Sequence, residues 1–576
     1  MMKKAITKLL ASLVAALLLA TPAAAQVTSS SSSVTGVVTD QTGAVVSGAT
    51  VTLTDTKTSK ELTATTDDQG VYRFLQVQPG EGYRLSISGP GFQSLTINDV
   101  ALRVGSVETH NAQLTAGQVT ESVSVTAGND ATLNTTDASI GNVIDTRRMV
   151  DLPVQFRSSP AALMGLQPGV VGANVGTQAD NRVGSVTGAR ADQGNITVDG
   201  IDANDQATGQ AFATTGNAPI DAVQEFRTVS TNPGASEGRS SGGQIQLVTK
   251  SGTNEFHGSL REFNRTAATA ANSFFNNRNG VERPQLTRNQ FGGSIGGPVY
   301  LPAFGEGGDR VWSGKDRLFF FFDYEGRRDA QGVSYLRIVP LQHVREGRLA
   351  YLNNTPGCPT SARLATNPQC VTVLSAAQVA ALDPQGVGAS QSLLTFVNQR
   401  YPLPNDLSAG DGINTGGFRF NAPSRRADNN YTGRLDANLT SRQSLFGRVS
   451  KISALQTDTV NAVAQQFPGD PETSQIATGD YAWVVGHNWV ASEAAVNQIR
   501  VGLTKSVLAF PNNFHPAAPQ SYTFGLIDNP FADINTQARD VPVWTLRDDL
   551  SWTRGSHSFQ FGGAARVINQ QTNLVS

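Results

Sequence analysis

The chain has 576 residues, enough for several domains at roughly 150 residues each. Its formal net charge is only −2, so no bulk electrostatic attraction to nucleic acid or to acidic partners is expected. Gly is frequent at 57 residues and Cys rare at 2; many short alternating strands joined by Gly- and Asn-rich turns produce that balance, and a helical enzyme does not.

The first 25 residues read as a secretory signal. Lys3, Lys4 and Lys8 supply positive charge, Leu9 to Ala20 is apolar, and Ala23-Ala24-Ala25 offers a small-residue cleavage site before Gln26. The apolar run is shorter than the ~20 residues of a spanning helix, and no later stretch is a candidate. The mature chain therefore leaves the cytoplasm, and either stays soluble or spans a membrane as a closed barrel.

A polar linker over 26–33 precedes alternating strands over 34–118. Val34 to Asp40 runs into the turn Gln41-Thr42-Gly43. Ala49 to Thr54 places Val51 and Leu53 on one face and threonines on the other. Asp67-Asp68-Gln69-Gly70, Pro79-Gly80 and Pro90-Gly91-Phe92 mark further turns. About seven strands in about 85 residues predict a small β-sandwich. Glu121-Ser122-Val123-Ser124-Val125-Thr126-Ala127 follows, alternating and β-prone. It suits either the last strand of the sandwich or a segment that adds to the sheet edge of another protein.

From 128 to 253 the pattern changes. Thr146 to Val150 begins a short helix ended by Leu152-Pro153. Short β-prone runs then alternate with Gly, Asp and Asn. Asp199-Gly200 is a hairpin signal, because Gly accepts positive φ cheaply. Asp202, Asn204 and Asp205 offer oxygen ligands to Ca²⁺, but Gly is missing from the loop's sixth position, and a polar turn is the simpler reading.

From 254 onward, alternation carries the argument. Tyr431, Gly433, Leu435, Ala437 and Leu439 oppose Thr432, Arg434, Asp436 and Asn438. Phe291 and Ile295 oppose Gln290 and Ser294, and the Phe559 to Arg566 run also has an apolar face. Tyr481, Trp483, Val485 and Trp489 share a face, as aromatic girdles at two membrane interfaces require. Expected strands are about 9–11 residues long, matching a tilted bilayer crossing. A segment of about 100 residues between Tyr324 and Tyr431 exceeds loops in compact soluble domains. Roughly nine strands are countable, whereas barrels of this kind have even counts, and about nine are too few to surround a plug. The chain also ends in Asn573-Leu574-Val575-Ser576, without a terminal aromatic, and so is expected to be the N-terminal part of a longer protein.

Cys358 and Cys370 lie close together in a Pro- and Thr-rich stretch of an exported chain, and one disulfide closing a surface loop is expected. Two Cys without nearby His are poor metal ligands. His343-Val344-Arg345-Glu346 has the His-x-x-Glu spacing of zinc carboxypeptidases, but no third ligand has an evident position. No Gly-x-Ser-x-Gly, phosphate-loop or dinucleotide motif is present, so no enzymatic activity and no cofactor are expected.

Several of these motifs carry a resemblance. Gly36-Val37-Val38-Thr39-Asp40 and Pro90-Gly91-Phe92 resemble the carboxypeptidase regulatory-like domain, a non-catalytic β-sandwich. Leu152-Pro153-Val154, Leu166-Gln167-Pro168-Gly169-Val170, Arg190 and Asp199-Gly200 resemble the plug of TonB-dependent outer-membrane receptors, with Ala191 where many plugs have Gly. Thr249-Lys250-Ser251-Gly252-Thr253-Asn254-Glu255-Phe256-His257-Gly258 resembles the plug-to-barrel junction of the Oar-like branch. Phe291 to Pro298 and Phe319 to Gly326 resemble its barrel.

The resemblance implies an all-β receptor: sandwich over 34–118, TonB-box candidate within 119–127, plug over 128–253 and partial barrel over 254–576. It implies about twenty-two barrel strands in the whole family member. It also implies residence in a Gram-negative outer membrane, with sandwich and plug on the periplasmic side. The implied function is import of a small or oligomeric substrate. The implied partners are TonB with its inner-membrane energising complex, and outer-membrane lipid; nucleic acid is not among them. Arg190 would pair plug with barrel, or contact ligand. The alternative is a non-transporting surface or adhesion protein on the same scaffold.

Overall fold

The computed structural model describes residues 30–117, 122–126, 139–151, 163, 166–171, 185–190, 193–206, 218–234, 236–238, 242–272, 274, 277, 283–302, 311–353, 355–457, 465–470, 475–510, 524–531, 536–555 and 557–575. The signal sequence, Glu121, Ala127 and Leu152-Pro153-Val154 lie outside them.

The N-terminal strands are β1 (Ser32–Asp40), β2 (Thr50–Asp55), β3 (Lys60–Thr65), β4 (Val71–Val77), β5 (Gly80–Ser88), β6 (Ser94–Leu102), β7 (Val107–Thr109), β8 (Ala112–Leu114) and β9 (Ser122–Thr126). One sheet joins β4, β1, β7 and β8; the other runs β3-β2-β5-β6-β9. The alternation seen in sequence turns Val51, Leu53, Leu85 and Ile87 inward against Val34, Val38, Tyr72 and Phe74. The strand count exceeds the expected seven because 107–114 divides into β7 and β8, and because β9 joins the second sheet.

Next come β10 (Ile140–Asp145), a helix at Thr146–Asp151, β11 (Val170–Val171), β12 (Ser185–Val186), β13 (Ala189–Arg190), β14 (Asn195–Val198), β15 (Ile201–Asp202), a tight helical turn at Ile220–Ala222, β16 (Val223–Thr231) and β17 (Gln244–Thr249). A mixed sheet in the order β10-β16-β17-β14-β15 forms the plug, packed on Ile196, Val198, Phe226, Ile245 and Leu247.

The rest is one large antiparallel sheet and its connections. Its strands are β18 (His257–Thr266), β19 (Leu286–Pro298), a small hairpin of β20 (Tyr300–Pro302) and β21 (Val311–Ser313), β22 (Leu318–Pro340), a second small hairpin of β23 (Ala350–Leu352) and β24 (Val371–Val373), β25 (Thr415–Thr440), β26 (Gln443–Thr457), β27 (Gln475–Thr478), β28 (Tyr481–Ser492), β29 (Ala495–Phe510), β30 (Thr536–Arg554), β31 (His557–Ile568) and β32 (Gln571–Val575). Eleven of these pair in chain order from β18 to β31 and β32. β27 and β28 both lie between β26 and β29, and β31 and β32 both pair β30, so the eleven strands occupy nine positions. Among the described residues the first and last strands do not pair with each other.

The pleat sorts the two faces. Tyr431, Leu435, Leu439, Val449, Val485, Trp489, Trp544 and Val567 are exposed on the outer face. Asp323, Glu325, Asn430, Thr432, Arg434, Arg448, Gln498 and Arg500 are buried on the inner face, against the plug. Tyr481 and Trp489 are eight residues apart on one strand, roughly 25 Å of extended chain, which is the height of a lipid-facing band.

Strand lengths differ from expectation. β22 has 23 residues and β25 has 26, paired from Leu318↔Ala437 to Pro340↔Thr415. The two go on pairing past the lipid-facing band, because each supplies the other's backbone partners, so the segment joining them is 341–414 and not the full span between Tyr324 and Tyr431. Within it Cys358 and Cys370 are joined by a disulfide.

The described parts of the connections within 341–414, 458–474 and 511–535 lie at one end of the sheet; the turns at 441–442 and 493–494, and the connection that holds β20 and β21, lie at the other. Arg400 ties the three long connections together. It donates to both carboxylate oxygens of Asp470 at 2.8 and 2.6 Å and to the Pro530 carbonyl at 2.8 Å. Its guanidinium lies 4.9 Å from the Phe467 ring centre and 4.8 Å from that of Phe531. Val339, Val397, Tyr401 and Phe467 form the apolar cluster beside it.

Arg400→Ala is expected to cost about 2–4 kcal/mol at this cluster, from the lost ion pair and two ring contacts. Chymotrypsin should cut at Phe467 and Phe524 sooner in intact cells, and Arg400→Lys should not restore protection, because Lys cannot make the bidentate pair. Unchanged cleavage in both variants would show that the loops are held by other contacts.

Candidate functional site

The plug meets the barrel wall through charge. At its centre is the β14–β15 turn, where Asp199 and Gly200 have φ of 50° and 85°, as a two-residue Asp-Gly hairpin requires. Gly200 is required by space as well as by φ, since a Cβ there would lie 2.8 Å from Cδ of Arg500. Asp199 is 3 % exposed. Its carboxylate accepts from the Thr249 N–H and hydroxyl, both at 2.9 Å. It lies 2.7 Å from Nε of Arg448 and 3.4 Å from Nη1 of Arg434 on the barrel wall. Arg434 also pairs with Asp436 at 2.8 Å and covers the Phe446 ring at 4.7 Å. Burial alone would raise the Asp199 carboxyl; the two guanidiniums and Thr249 outweigh it and hold the group below its ordinary range.

Two further contacts flank this centre. Asp221 of the plug lies 3.0 Å from Arg261 of β18, which also holds Asp323 at 2.8 Å. Asp202 pairs with Arg566 of β31, and its backbone carbonyl accepts from the Thr504 hydroxyl at 2.6 Å. The plug thus presents aspartates and the wall presents arginines.

Among the described residues Arg190 takes no part in this seam. It is exposed in β13, and its backbone N–H donates to Gln193. Among the described residues, the arginines that pair with plug carboxylates are Arg261, Arg434, Arg448 and Arg566. Asp202 and Asn204 are engaged with protein partners. His343 faces Asn414 at 3.3 Å, while Glu346 is exposed beside Gln342. Among the described residues no three His, Cys, Asp or Glu side chains are placed to hold one metal ion.

Ser122 to Thr126 forms β9, paired in parallel with β6 from Ser94↔Ser122 to Asn98↔Thr126. It is the edge of the sandwich's second sheet, with no strand on its other side among the described residues. Parallel pairing over five residues is a weak hold. Ser124 and Val125 are exposed.

The sandwich in turn grips the plug through Glu225 of β16. Glu225 accepts from the Val104 N–H at 2.6 Å and lies 3.6 Å from Arg103. Sequence reading did not single it out, since an isolated Glu in a strand carries no signal until its partner 121 residues away is known.

Residues 248–575 match the family model described as an outer membrane beta barrel domain. The chain belongs to this outer-membrane β-barrel family. Its localisation is accordingly the outer membrane of a Gram-negative cell. Residues 33–115 match the carboxypeptidase regulatory-like domain. The TonB-dependent transporter Oar of Myxococcus xanthus is 27 % identical over 279 residues, which cover 47 % of this chain and 24 % of Oar. The match thus spans about a quarter of that relative's length.

Among solved structures, the outer membrane transporter YddB from Escherichia coli is similar over 75 % of this chain and 48 % of its own, with TM-score 0.44 and 10 % identity. The siderophore receptor PirA from Acinetobacter baumannii is similar over 75 % of this chain and 54 % of its own, with TM-score 0.34 and 15 % identity. These relatives are transporters and receptors, not enzymes.

Two predictions follow from the charged contacts of this barrel protein. Asp199→Ala leaves Arg448 and Arg434 buried without their shared plug carboxylate, and should loosen the plug by about 3–5 kcal/mol. The Lys250 amide, which donates to the Ala222 carbonyl within the plug at 2.9 Å, should then exchange with solvent far faster; an unchanged exchange rate would show that the seam does not hold the plug. The second concerns pH. Burial pushes the Glu225 carboxyl up to about 7, against the opposing pull of the Val104 N–H and Arg103. Released from the sandwich, the group returns toward its ordinary value of 4.5, so docking takes up a proton. The sandwich–plug contact should be strongest below that value and weaken as pH rises through about 7. The protection factor of the Val104 amide at pH 5 and pH 8, its exchange rate divided into the intrinsic rate at each pH, reads this, and Glu225→Gln should flatten the difference.

Proposed function

We propose that this chain is a TonB-dependent importer of the outer membrane. The observation that carries the reading is the plug seated against the inner wall of the sheet by buried ion pairs, which need an input of work to separate. The long-loop end faces outward and gathers substrate, while the short-turn end, with sandwich and plug, faces the periplasm. TonB engages the segment Glu121 to Ala127, whose described part is the exposed edge strand β9. Main-chain hydrogen bonds along that edge supply the affinity, with little demand on side-chain identity. Pulling on this segment draws the plug away from Arg434 and Arg448. The Oar relative, a TonB-dependent transporter by name, supports the assignment.

The substrate is small or oligomeric. Growth of a deletion strain on panels of iron chelates, glycans and peptides identifies it. Val123→Pro in the complete receptor tests the coupling, because proline removes one ladder donor and fixes φ. Accumulation of the nutrient lost in the deletion strain should fall to background, while binding of that nutrient to cells at low temperature persists. Ser124→Asn, which keeps the ladder, should do far less. Uptake that survives Val123→Pro would leave 122–126 as a structural edge strand only. Binding without energised uptake in the unmodified receptor would favour a surface-adhesion role.

A further inference from the structure

The sandwich does not hang free of the barrel. It touches the short-turn end at points spread along the sheet. The Lys57 carbonyl accepts from the Asn254 N–H at 2.8 Å, beside the start of β18. Lys60 donates to Ser444 of β26 at 3.2 Å, and the Thr65 N–H donates to Glu493, in the turn between β28 and β29, at 3.3 Å. The deepest contact is Gln76, near the end of β4, in a left-handed conformation with φ 52°. Its side chain donates to the Ser551 hydroxyl at 2.6 Å, and its carbonyl accepts from Gln498 at 3.3 Å. Ser551 and Gln498 are inner-wall residues, and Gln76 itself is only 6 % exposed.

The turn that follows, Gln78-Pro79, closes a cavity of about 50 Å³ whose other walls include Asp199, Arg434, Gln498 and Arg500. The β4–β5 turn therefore stands inside the mouth, immediately below the charged seam of the plug. At the plug, Gly105 (φ 66°) packs so closely on Arg227 that a Cβ would lie 2.1 Å from its guanidinium.

We propose that the sandwich is a second closure, a periplasmic gate with the β4–β5 turn as its stopper, the Glu225 contact as its latch and β9 as its handle. The proposal rests on the transporter reading above. A substrate that passed the plug would still meet the sandwich. β6 links the two ends of the device: β9 pairs along it, and it runs directly into Arg103 and Val104, which hold Glu225. Tension on β9 thus reaches the latch through one strand, and the gate lifts as the plug is drawn.

The test uses thiol labelling in living cells. The two cysteines of this chain are joined to each other and no free thiol is present among the described residues, so labelling of an introduced Cys is read above that of the receptor without one. Gln76→Cys and the exposed control Gln69→Cys are placed separately in the complete receptor. Each is labelled with a small maleimide that reaches the periplasm, in cells growing in complex medium, with TonB present or deleted. Without TonB, Gln76→Cys should react at least about tenfold more slowly than Gln69→Cys. With TonB, its rate should rise several-fold while that of the control stays constant.

Equal rates for the two positions in cells lacking TonB would overturn the seat. Slow labelling of Gln76→Cys both with and without TonB would make the sandwich a fixed support, not a gate. Gly105→Ala, which wedges the latch at Arg227, should speed Gln76→Cys labelling without TonB; a rate unchanged by it would overturn the latch. Photocross-linking of TonB to position 124 reads the underlying transporter assignment separately. Its absence would overturn TonB engagement itself, whereas TonB cross-linking with an immobile Gln76→Cys would overturn the gate alone.

Discussion

The plug's place in this structure depends on a buried carboxylate. Asp199 carries a negative charge into a region closed to water, where an ion without partners would be costly. It is tolerated because Arg448 and Arg434 reach it from two barrel strands and Thr249 donates twice from the neighbouring plug strand. The converse holds for Arg448, whose carboxylate partner among the described residues is Asp199 of the plug, while Arg434 is shared between Asp199 and Asp436 of the wall. Neither surface is satisfied alone, so plug and barrel specify one another. A seam of ion pairs suits the movable plug of the importer proposed above. Separated charges regain water when the interface opens, whereas a large apolar interface would expose greasy surface to it.

From this seam the other contacts run in series. Asp199 ends the hairpin of β14 and β15, which lies in the same sheet as β16, and β16 carries Glu225 to the sandwich. The sandwich carries β9 on the opposite edge of its second sheet from β3. The path from the edge strand to the barrel wall thus includes sheet hydrogen bonds and charge pairs at each step.

Much of the fold was legible because period-two patterning reports two unlike environments. Leu435 and Leu439 face outward while Thr432 and Arg434 face the plug, and alternation registers that split without any knowledge of partners. Asp199-Gly200 was legible as a turn because its backbone demand is local. Its role was not, since Arg434 and Arg448 lie more than two hundred residues away and read in sequence only as the polar positions of strands. Arg190 drew attention through resemblance, but it is exposed in β13, and the arginines paired with plug carboxylates among the described residues are those of the wall. The segment 122–126 stayed ambiguous because a main-chain ladder makes the same sequence demand whether its partner is β6 or another protein. Arg400 gave no signal at all: its partners Asp470, Phe467 and Phe531 come from two other connections that only the folded barrel brings together.

A double-mutant cycle on Asp199→Asn and Arg448→Gln tests the central claim most directly, with plug release followed by hydrogen exchange at the Lys250 amide, which donates to Ala222 within the plug. If the plug is held by this pair, the two substitutions should couple by more than about 1.5 kcal/mol, as close charge pairs buried at interfaces do. Additive effects, with coupling near zero, would contradict the account and move the plug's anchorage to the apolar contacts around it.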